Sequence, residues 1–357
     1  MSEVKIIGVV GGGQMGSGIA QVAAMHGVDV FLHDLDHRVL SKASSSISSS
    51  IDRFVSKGTL SQAAGVEVFK RLRFTTNLED FHTADFIIEA IVESEDVKKS
   101  LFVKLDKIAK SSAIFASNTS SISITRIASS TTRPRQVIGM HFMNPPPLKK
   151  LIEIIRGADT SDETFATTKA LSERLGKVVI TSQDYSGFIV NRILMPMINE
   201  AFFTLYTGVG TKEDIDRGMK LGTSHPMGPL ELADFIGLDV CLSIMRVLHA
   251  GLGDNKYAPC PLLVQYVDAG RLGRKRGLQN LTFPHMSDCW DGADCSNTLY
   301  YADKTKESLE EVRSSSAAFD SICILILHVL LLLHLLFTIR FINNIVRSLI
   351  GHTVRDR

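Results

Sequence analysis

Net charge is what this sequence has least of. Its 39 Lys and Arg are offset by 38 Asp and Glu, which leaves a formal charge of +1. It lacks the basic excess that a nucleic-acid backbone selects, so no nucleic-acid partner is expected. Cysteine is also scarce. Cys241, Cys260, Cys289, Cys295 and Cys323 show no metal-ligand spacing, and their odd number suits reduced thiols rather than a disulfide framework. No charged leader precedes the first apolar run, so a cleavable presequence is not expected. Val354-Arg355-Asp356-Arg357 is not a peroxisomal address of the Ser-Lys-Leu kind. These absences point to a soluble intracellular protein of the cytoplasm or the peroxisome, with the compartment open. At 357 residues, 45% apolar and 22% charged, the chain suits two globular domains.

What the chain does have is glycine in one place. Gly11-Gly12-Gly13-Gln14-Met15-Gly16 follows the apolar run Val4 to Val10 and precedes the alanine-rich stretch Ile19 to His26. The order strand, tight turn, helix opens a dinucleotide-binding fold. Gly11 permits the turn, Gly13 lets backbone approach a pyrophosphate, and Gly16 lets the helix lie close on the strand. Gln14 and Met15 begin that helix, whose N-terminus offers unpaired N–H groups and a partial positive charge. Gly27 then stops the helix and Val28 to His33 reads as a second strand. Asp34 follows 18 residues after Gly16. An acidic residue there accepts from ribose hydroxyls and repels a 2′-phosphate, which favours NAD over NADP. The alternative is a structural βαβ unit with a solvent-facing Asp34.

Residues 4 to about 181 alternate strand-like and helix-like stretches. Phe86–Ala90, Ala113–Ala116, Gln136–Met140 and Lys177–Ile180 are continuous apolar runs. Such runs imply a parallel sheet covered by helices on both faces. The expected fold class is α/β, a Rossmann-type doubly wound sheet in residues 1–183. A helical hairpin is inserted over 36–73, where Ile47, Ile51 and Phe54 fall at helical spacing. Residues 184–278 read as an all-α C-terminal domain, with helices over Ile189–Tyr206, Lys212–Leu221 and Leu230–Ile236. Beyond 278 the composition shifts. Ile322 to Ile339 is an 18-residue run without formal charge, flanked by Arg340 and Arg347, which just reaches membrane-spanning length.

Four polar positions stand where a doubly wound sheet holds its ligands, at the ends of the later strands. They are Ser120 in Ser117–Ser121, His141 in His141–Pro145, Glu153 in Leu151–Ile155, and Asn191 in Gly187–Arg192. A histidine after a strand suits proton transfer near neutral pH. A carboxylate inside an apolar run needs a partner, so His141 and Glu153 would satisfy one another. Read singly, His141 serves equally as a hydrogen-bonded structural residue, and Glu153 as an edge-strand carboxylate facing solvent.

These residues carry a resemblance. The chain is similar to the short-chain 3-hydroxyacyl-CoA dehydrogenases, of the 3-hydroxybutyryl-CoA dehydrogenase kind, over about residues 4–278. The shared stretches are Gly11–Gly18, Glu89–Glu93, Ser117–Ser121, His141–Pro147, Gly187–Arg192, His225–Leu232 and Arg271–Gly277. The resemblance implies NAD-dependent oxidation of a short-chain (S)-3-hydroxyacyl-CoA to the 3-ketoacyl-CoA, and the reverse, in fatty-acid β-oxidation or related metabolism. It implies His141 as general base, Glu153 as its orienting partner, and Ser120 and Asn191 as hydrogen-bonding residues of the cleft. For NAD it implies Gly11, Gly12, Gly13, Gln14, Met15, Gly16, Asp34, Glu93, Lys98, Ser120 and Lys275. For the acyl-CoA substrate it implies Ser50, Lys57, Ser120 and Asn144, and for assembly a homodimer through the helical domain. Without the resemblance, Lys57 would read as a solvated helix end.

Relatives continue differently past Leu278. One reading of 279–357 is an alternative or misread transcript that impairs catalysis. The other is a membrane tail anchor at 322–339, the only route to membrane contact. The rivals to the dehydrogenase reading are a non-catalytic, NAD-binding structural protein and an oxidoreductase of small hydroxy acids without coenzyme A.

Overall fold

A computed structural model describes residues 3–273 of the chain. The order begins β1 (Ile6–Val10), α1 (Gln14–Met25), β2 (Asp29–His33), α2 (His37–Ser56), α3 (Gln62–Lys70) and β3 (Leu72–Thr75). It continues β4 (Phe86–Glu89), α4 (Glu95–Ile108), β5 (Ile114–Ser117), α5 (Ile124–Ala128), β6 (Val137–Phe142), β7 (Leu151–Arg156), α6 (Asp162–Arg174) and β8 (Val178–Gln183). Five helices close the described residues: α7 (Val190–Tyr206), α8 (Lys212–Gly222), α9 (Pro229–Ile236), α10 (Leu238–Leu252) and α11 (Pro261–Asp268). Lys275, the segment 279–357 and its apolar run at 322–339 lie outside the described residues. Among the described residues no single helix is long and apolar enough to cross a membrane.

The eight strands make one sheet in the order β3-β2-β1-β4-β5-β6-β7-β8. Strands β3 through β6 run parallel, β7 runs antiparallel to β6, and β8 follows β7. The reversal departs from the wholly parallel sheet that the apolar runs imply. Burial on both faces gives a continuous apolar run in either direction, so direction is not written in it. Connection length decides. Residues 143–150 are too few for the crossover that a parallel neighbour requires.

Both faces are covered, as the doubly wound reading expects. On one, α1 lays Ile19, Val22 and Ala23 against the sheet beside Leu40 and Ile47 of α2 and Leu171 of α6. On the other, Phe81, Phe102 and Phe115 pack with Ile124 and Ile127. The helical hairpin is present as α2 and α3, but Leu72 and Arg73 belong to β3, not to the hairpin. That strand is hard to see in sequence because only Leu72 of its four residues is buried. Its helices start where side chains cap them: Asp36 accepts from the Arg38 amide and Ser61 from the Ala64 amide. After β8 the strands end and the rest of the described chain is helical.

Candidate active site

The glycine turn lies beside the C-terminal end of β4. Gly11 has φ +108°, and a Cβ added there would stand 2.4 Å from the Ala90 carbonyl oxygen. At Gly16 it would stand 1.7 Å from the Gly11 carbonyl oxygen, so helix and turn touch backbone to backbone. Over Gly13 an added Cβ meets nothing within 4 Å. Gly13 is also the N-cap of α1 and supplies no side-chain cap, and the first turn holds no acidic residue. An open glycine face before an uncapped helix N-terminus suits a diphosphate. Asp34, at the end of β2, turns its carboxylate to the same place. Its Oδ2 accepts the Gly12 amide at 2.8 Å and its Oδ1 the Asp36 amide at 3.1 Å. These residues fit a dinucleotide.

Beside the turn a second group of charges is sealed. Glu89, the last residue of β4, is 0% exposed, and Lys98 of α4 is 1% exposed. Lys98 Nζ lies 2.5 Å from Glu89 Oε1 and 3.2 Å from Glu93 Oε2. Glu89 Oε1 also accepts the Ile91 amide at 2.7 Å, and its Oε2 accepts the Ser117 hydroxyl at 2.6 Å. Glu93 Oε1 accepts the Thr119 hydroxyl at 2.5 Å and the Ser120 amide at 2.9 Å. The loops after β4 and β5 are thereby tied together, and Ser120 is set between them. Lys98 meets two carboxylates rather than open space.

The third group sits where the sheet reverses. His141 and Glu153 are directly opposed in the antiparallel β6–β7 pair. His141 Nδ1 stands 2.7 Å from Glu153 Oε2. The His141 side chain is 7% exposed and that of Glu153 0%, so Glu153 does not face solvent from an edge. β8 covers the far side of its strand. Glu153 Oε1 accepts the amides of Ile189 and Val190 at 3.1 and 3.0 Å, at the start of α7. A carboxylate oxygen accepts, so Nδ1 donates, and the lone pair is left on His141 Nε2.

Asn191, one residue into α7, is 8% exposed, and its Nδ2 reaches the Ser120 carbonyl at 3.5 Å, the long limit of a hydrogen bond. Asn118 links the same loop to β6, its Oδ1 accepting the Phe142 amide at 2.9 Å. Ser120, Asn191, His141 and Glu153 are therefore one connected group. Asn144 lies three residues beyond His141 and is exposed. Its loop is held from below by Lys177, whose Nζ donates to the carbonyls of Pro146 at 2.6 Å and Lys149 at 2.8 Å. Burial pushes the Lys177 ammonium below its ordinary value. Ser50, half-buried, lies in the C-terminal part of α2, and Lys57, exposed, is the residue that caps its end. Among the described residues no hydrogen bond or ion pair joins Ser50, Lys57 or Asn144 to the His141 group.

Sequence reasoning passed over Glu89, Asn118, Lys177 and Phe188. Glu89 carried only a weak signal, because an acid that closes an apolar run such as Phe86–Ile88 normally meets solvent, unlike Glu153 inside its run. Asn118 and Lys177 carried none, since each works by reaching backbone that only the fold brings near.

The comparisons agree along the whole described chain. The family profile for the 3-hydroxyacyl-CoA dehydrogenase NAD binding domain matches residues 6–185, and that for the 3-hydroxyacyl-CoA dehydrogenase C-terminal domain matches 187–281. The chain is similar to a 3-hydroxybutyryl-CoA dehydrogenase of Bradyrhizobium diazoefficiens, 55% identical over 272 residues, which cover 76% of this chain and 93% of the relative. It is 42% identical over 281 residues to the human mitochondrial hydroxyacyl-coenzyme A dehydrogenase, covering 77% and 90%. Among solved structures, (S)-3-hydroxybutyryl-CoA dehydrogenase from Ralstonia eutropha superposes with a TM-score of 0.74 at 46% identity, over 77% of this chain and 97% of that one. An NAD-binding sheet, a helical region after it and a histidine–glutamate pair at their junction thus occur in a chain that belongs to the 3-hydroxyacyl-CoA dehydrogenase family.

Proposed function

We propose that this chain oxidises the 3-hydroxyl of a short-chain (S)-3-hydroxyacyl-CoA to the 3-ketone, and catalyses the reverse, with His141 as the group that exchanges the substrate proton. The observation that carries this is the 2.7 Å contact between His141 Nδ1 and a fully buried Glu153. In oxidation, His141 Nε2 takes the hydroxyl proton. Its Nδ1–H stays on Glu153, whose charge stabilises the imidazolium that forms. In reduction, Nε2 returns the proton to the keto oxygen. Ser120 and Asn191, linked to each other and to the same junction, hydrogen-bond the reacting oxygen and hold it near Nε2. NAD, when bound, supplies the nicotinamide carbon that accepts the hydride leaving the substrate 3-carbon.

Gly11–Gly16 and the α1 N-terminus hold the cofactor diphosphate, and Asp34 holds the adenosine ribose. Glu93 faces the cofactor, and Lys98 serves it by fixing Glu93; Lys275 completes the set in this reading. Ser50 and Lys57 on α2 take the coenzyme A end, where a cation suits phosphate, and Asn144 borders the acyl group. Residues 1–183 act as the cofactor domain and 184–278 as the helical domain that covers the cleft. The enzyme works as an intracellular homodimer in fatty-acid β-oxidation or related metabolism. Exposed Tyr206, Val209, Leu221 and Phe235 on the helical part support the dimer. The test is direct: the folded protein, mixed with acetoacetyl-CoA and NADH, oxidises the NADH. A folded sample that leaves NADH untouched rejects the reading. Competition by free coenzyme A is expected, and its absence turns the reading toward a small hydroxy acid.

A further inference from the structure

Phe188 is buried, 3% exposed, yet has φ +50°. Among the described residues only Ser224 shares that left-handed conformation without being glycine. For a bulky residue this conformation is strained and persists only where the surroundings enforce it. The surroundings here are specific. Upstream, the Asp184 carboxylate accepts the Ser123 hydroxyl at 2.7 Å and the Ile124 and Thr125 amides at 2.8 Å. The Phe188 amide then donates to the Tyr185 carbonyl at 3.0 Å, and the Arg192 amide to the Gly187 carbonyl at 3.1 Å. The turn cannot slide: a Cβ on Gly187 would stand 2.5 Å from Leu248 Cδ2 and 3.1 Å from the Arg192 nitrogen.

Two consequences meet at the active site. Leaving the turn, the chain aims the Ile189 and Val190 amides at Glu153 Oε1. Those amides open a 17-residue helix, so its partial positive charge faces the carboxylate. An ordinary right-handed φ at 188 would swing both amides away. The ring of Phe188, meanwhile, lies 5.8 Å from the His141 ring, tilted by 59°. One residue therefore sets the carboxylate through its backbone and the imidazole through its side chain.

We propose that Phe188 is a positioning residue for the His141–Glu153 pair, acting through the left-handed turn and the ring packed on the imidazole; this rests on the reading of His141 as the proton acceptor. Phe188 has no group that takes a proton, so it works only through the pair. Phe188→Ala lowers kcat by about tenfold or more, while the KM values for acetoacetyl-CoA and NADH stay within about threefold, because misplacement of a catalytic group slows turnover without weakening ground-state binding. Should the alanine variant fail to fold, Phe188→Leu keeps most of the apolar volume and lowers kcat by about threefold or more. A double variant separates positioning from bulk stability. In a His141→Gln background, Phe188→Ala produces no further fall in kcat, since residues acting as a unit are not additive. A smaller fall than stated in the variant that folds, or a full additional fall in the His141→Gln background, overturns the inference. If His141→Gln itself retains turnover, the underlying reading is what fails.

Discussion

Two buried glutamates sit on the same sheet, four strands' breadth from one end of the site to the other, and they are kept for different ends. Glu153 and Glu89 are both 0% exposed, the first inside the apolar strand β7 and the second at the end of β4. Each divides its oxygens between a cation-capable side chain and backbone or hydroxyl donors. Glu153 meets an imidazole, a side-chain type suited to proton transfer. Glu89 meets the Lys98 ammonium and the Ser117 hydroxyl, which tie it to α4 and β5. The first arrangement is the one on which the proposed proton transfer rests, and the second ties the loops after β4 and β5 together. Equal burial of equal residues therefore says little about role; the partner decides.

The sharpest way to break this contrast is His141→Gln. It removes the proposed proton acceptor yet leaves a side chain able to donate toward Glu153. Loss of a general base costs about 10²–10⁴-fold in kcat, while NADH binding and the unfolding midpoint stay near those of the parent. Steady-state turnover beside NADH fluorescence titration checks it. Near-parental turnover would make the His141–Glu153 pair structural, like its counterpart.

The contrast also marks how much was legible. The glycine turn showed itself because each glycine answers a steric need that sequence order reveals, and the structure meets it at Gly11 and Gly16. Glu153 showed itself because a carboxylate in the middle of Leu151–Ile155 has no neutral explanation. Glu89 hid at the end of its run, where an acid normally meets solvent. Lys98 is named for the cofactor by the resemblance alone, and its burial against Glu89 and Glu93 leaves no mark in sequence, because a lysine in the first turns of a helix usually points outward. The direction of β7 and the φ of Phe188 leave no mark in residue type. Of the helices after Gln183, α7, α8 and α9 stand out by period, and they start and stop within a residue or so of the pattern.

The scaffold side breaks differently. Lys98→Met leaves Glu89 buried without a cation, a change that costs about 3–5 kcal/mol of stability. Chemical denaturation of the two proteins measures it. A loss below about 1 kcal/mol would show that the Ile91 amide and Ser117 hydroxyl suffice for Glu89. Ser117→Ala tests the other oxygen. A hydrogen bond to a charged group contributes about 1.5–3 kcal/mol, so this variant falls between Lys98→Met and the parent, and an effect as large as that of Lys98→Met would contradict the ranking of the two partners.

A third buried carboxylate completes the comparison, because helix amides hold it. Asp216 of α8 stands where Gly228 and Pro229 leave the start of α9 without a side-chain cap. Its Oδ1 accepts the Leu230 amide at 2.8 Å and its Oδ2 the Glu231 amide at 3.1 Å. Burial pushes its carboxyl above the ordinary range, with Glu231 adding to the rise, and outweighs the two amides and Lys212, which pull the other way. The sign follows from linkage. A group whose folded pKa is raised gives its full stabilisation below its unfolded pKa, about 3.9, and loses it as pH rises through the folded value. Asp216→Asn keeps an acceptor for the amides and removes the titration. The stability of the parent relative to this variant is therefore greatest near pH 4 and declines toward neutrality, an effect smaller than any above. Unfolding midpoints of both proteins, taken across that interval, decide the matter. Parallel curves would mean that the helix amides neutralise the burial penalty, and a parent that gains on the variant as pH rises would mean that Asp216 behaves as a stabilised anion, closer in kind to the glutamates of the sheet.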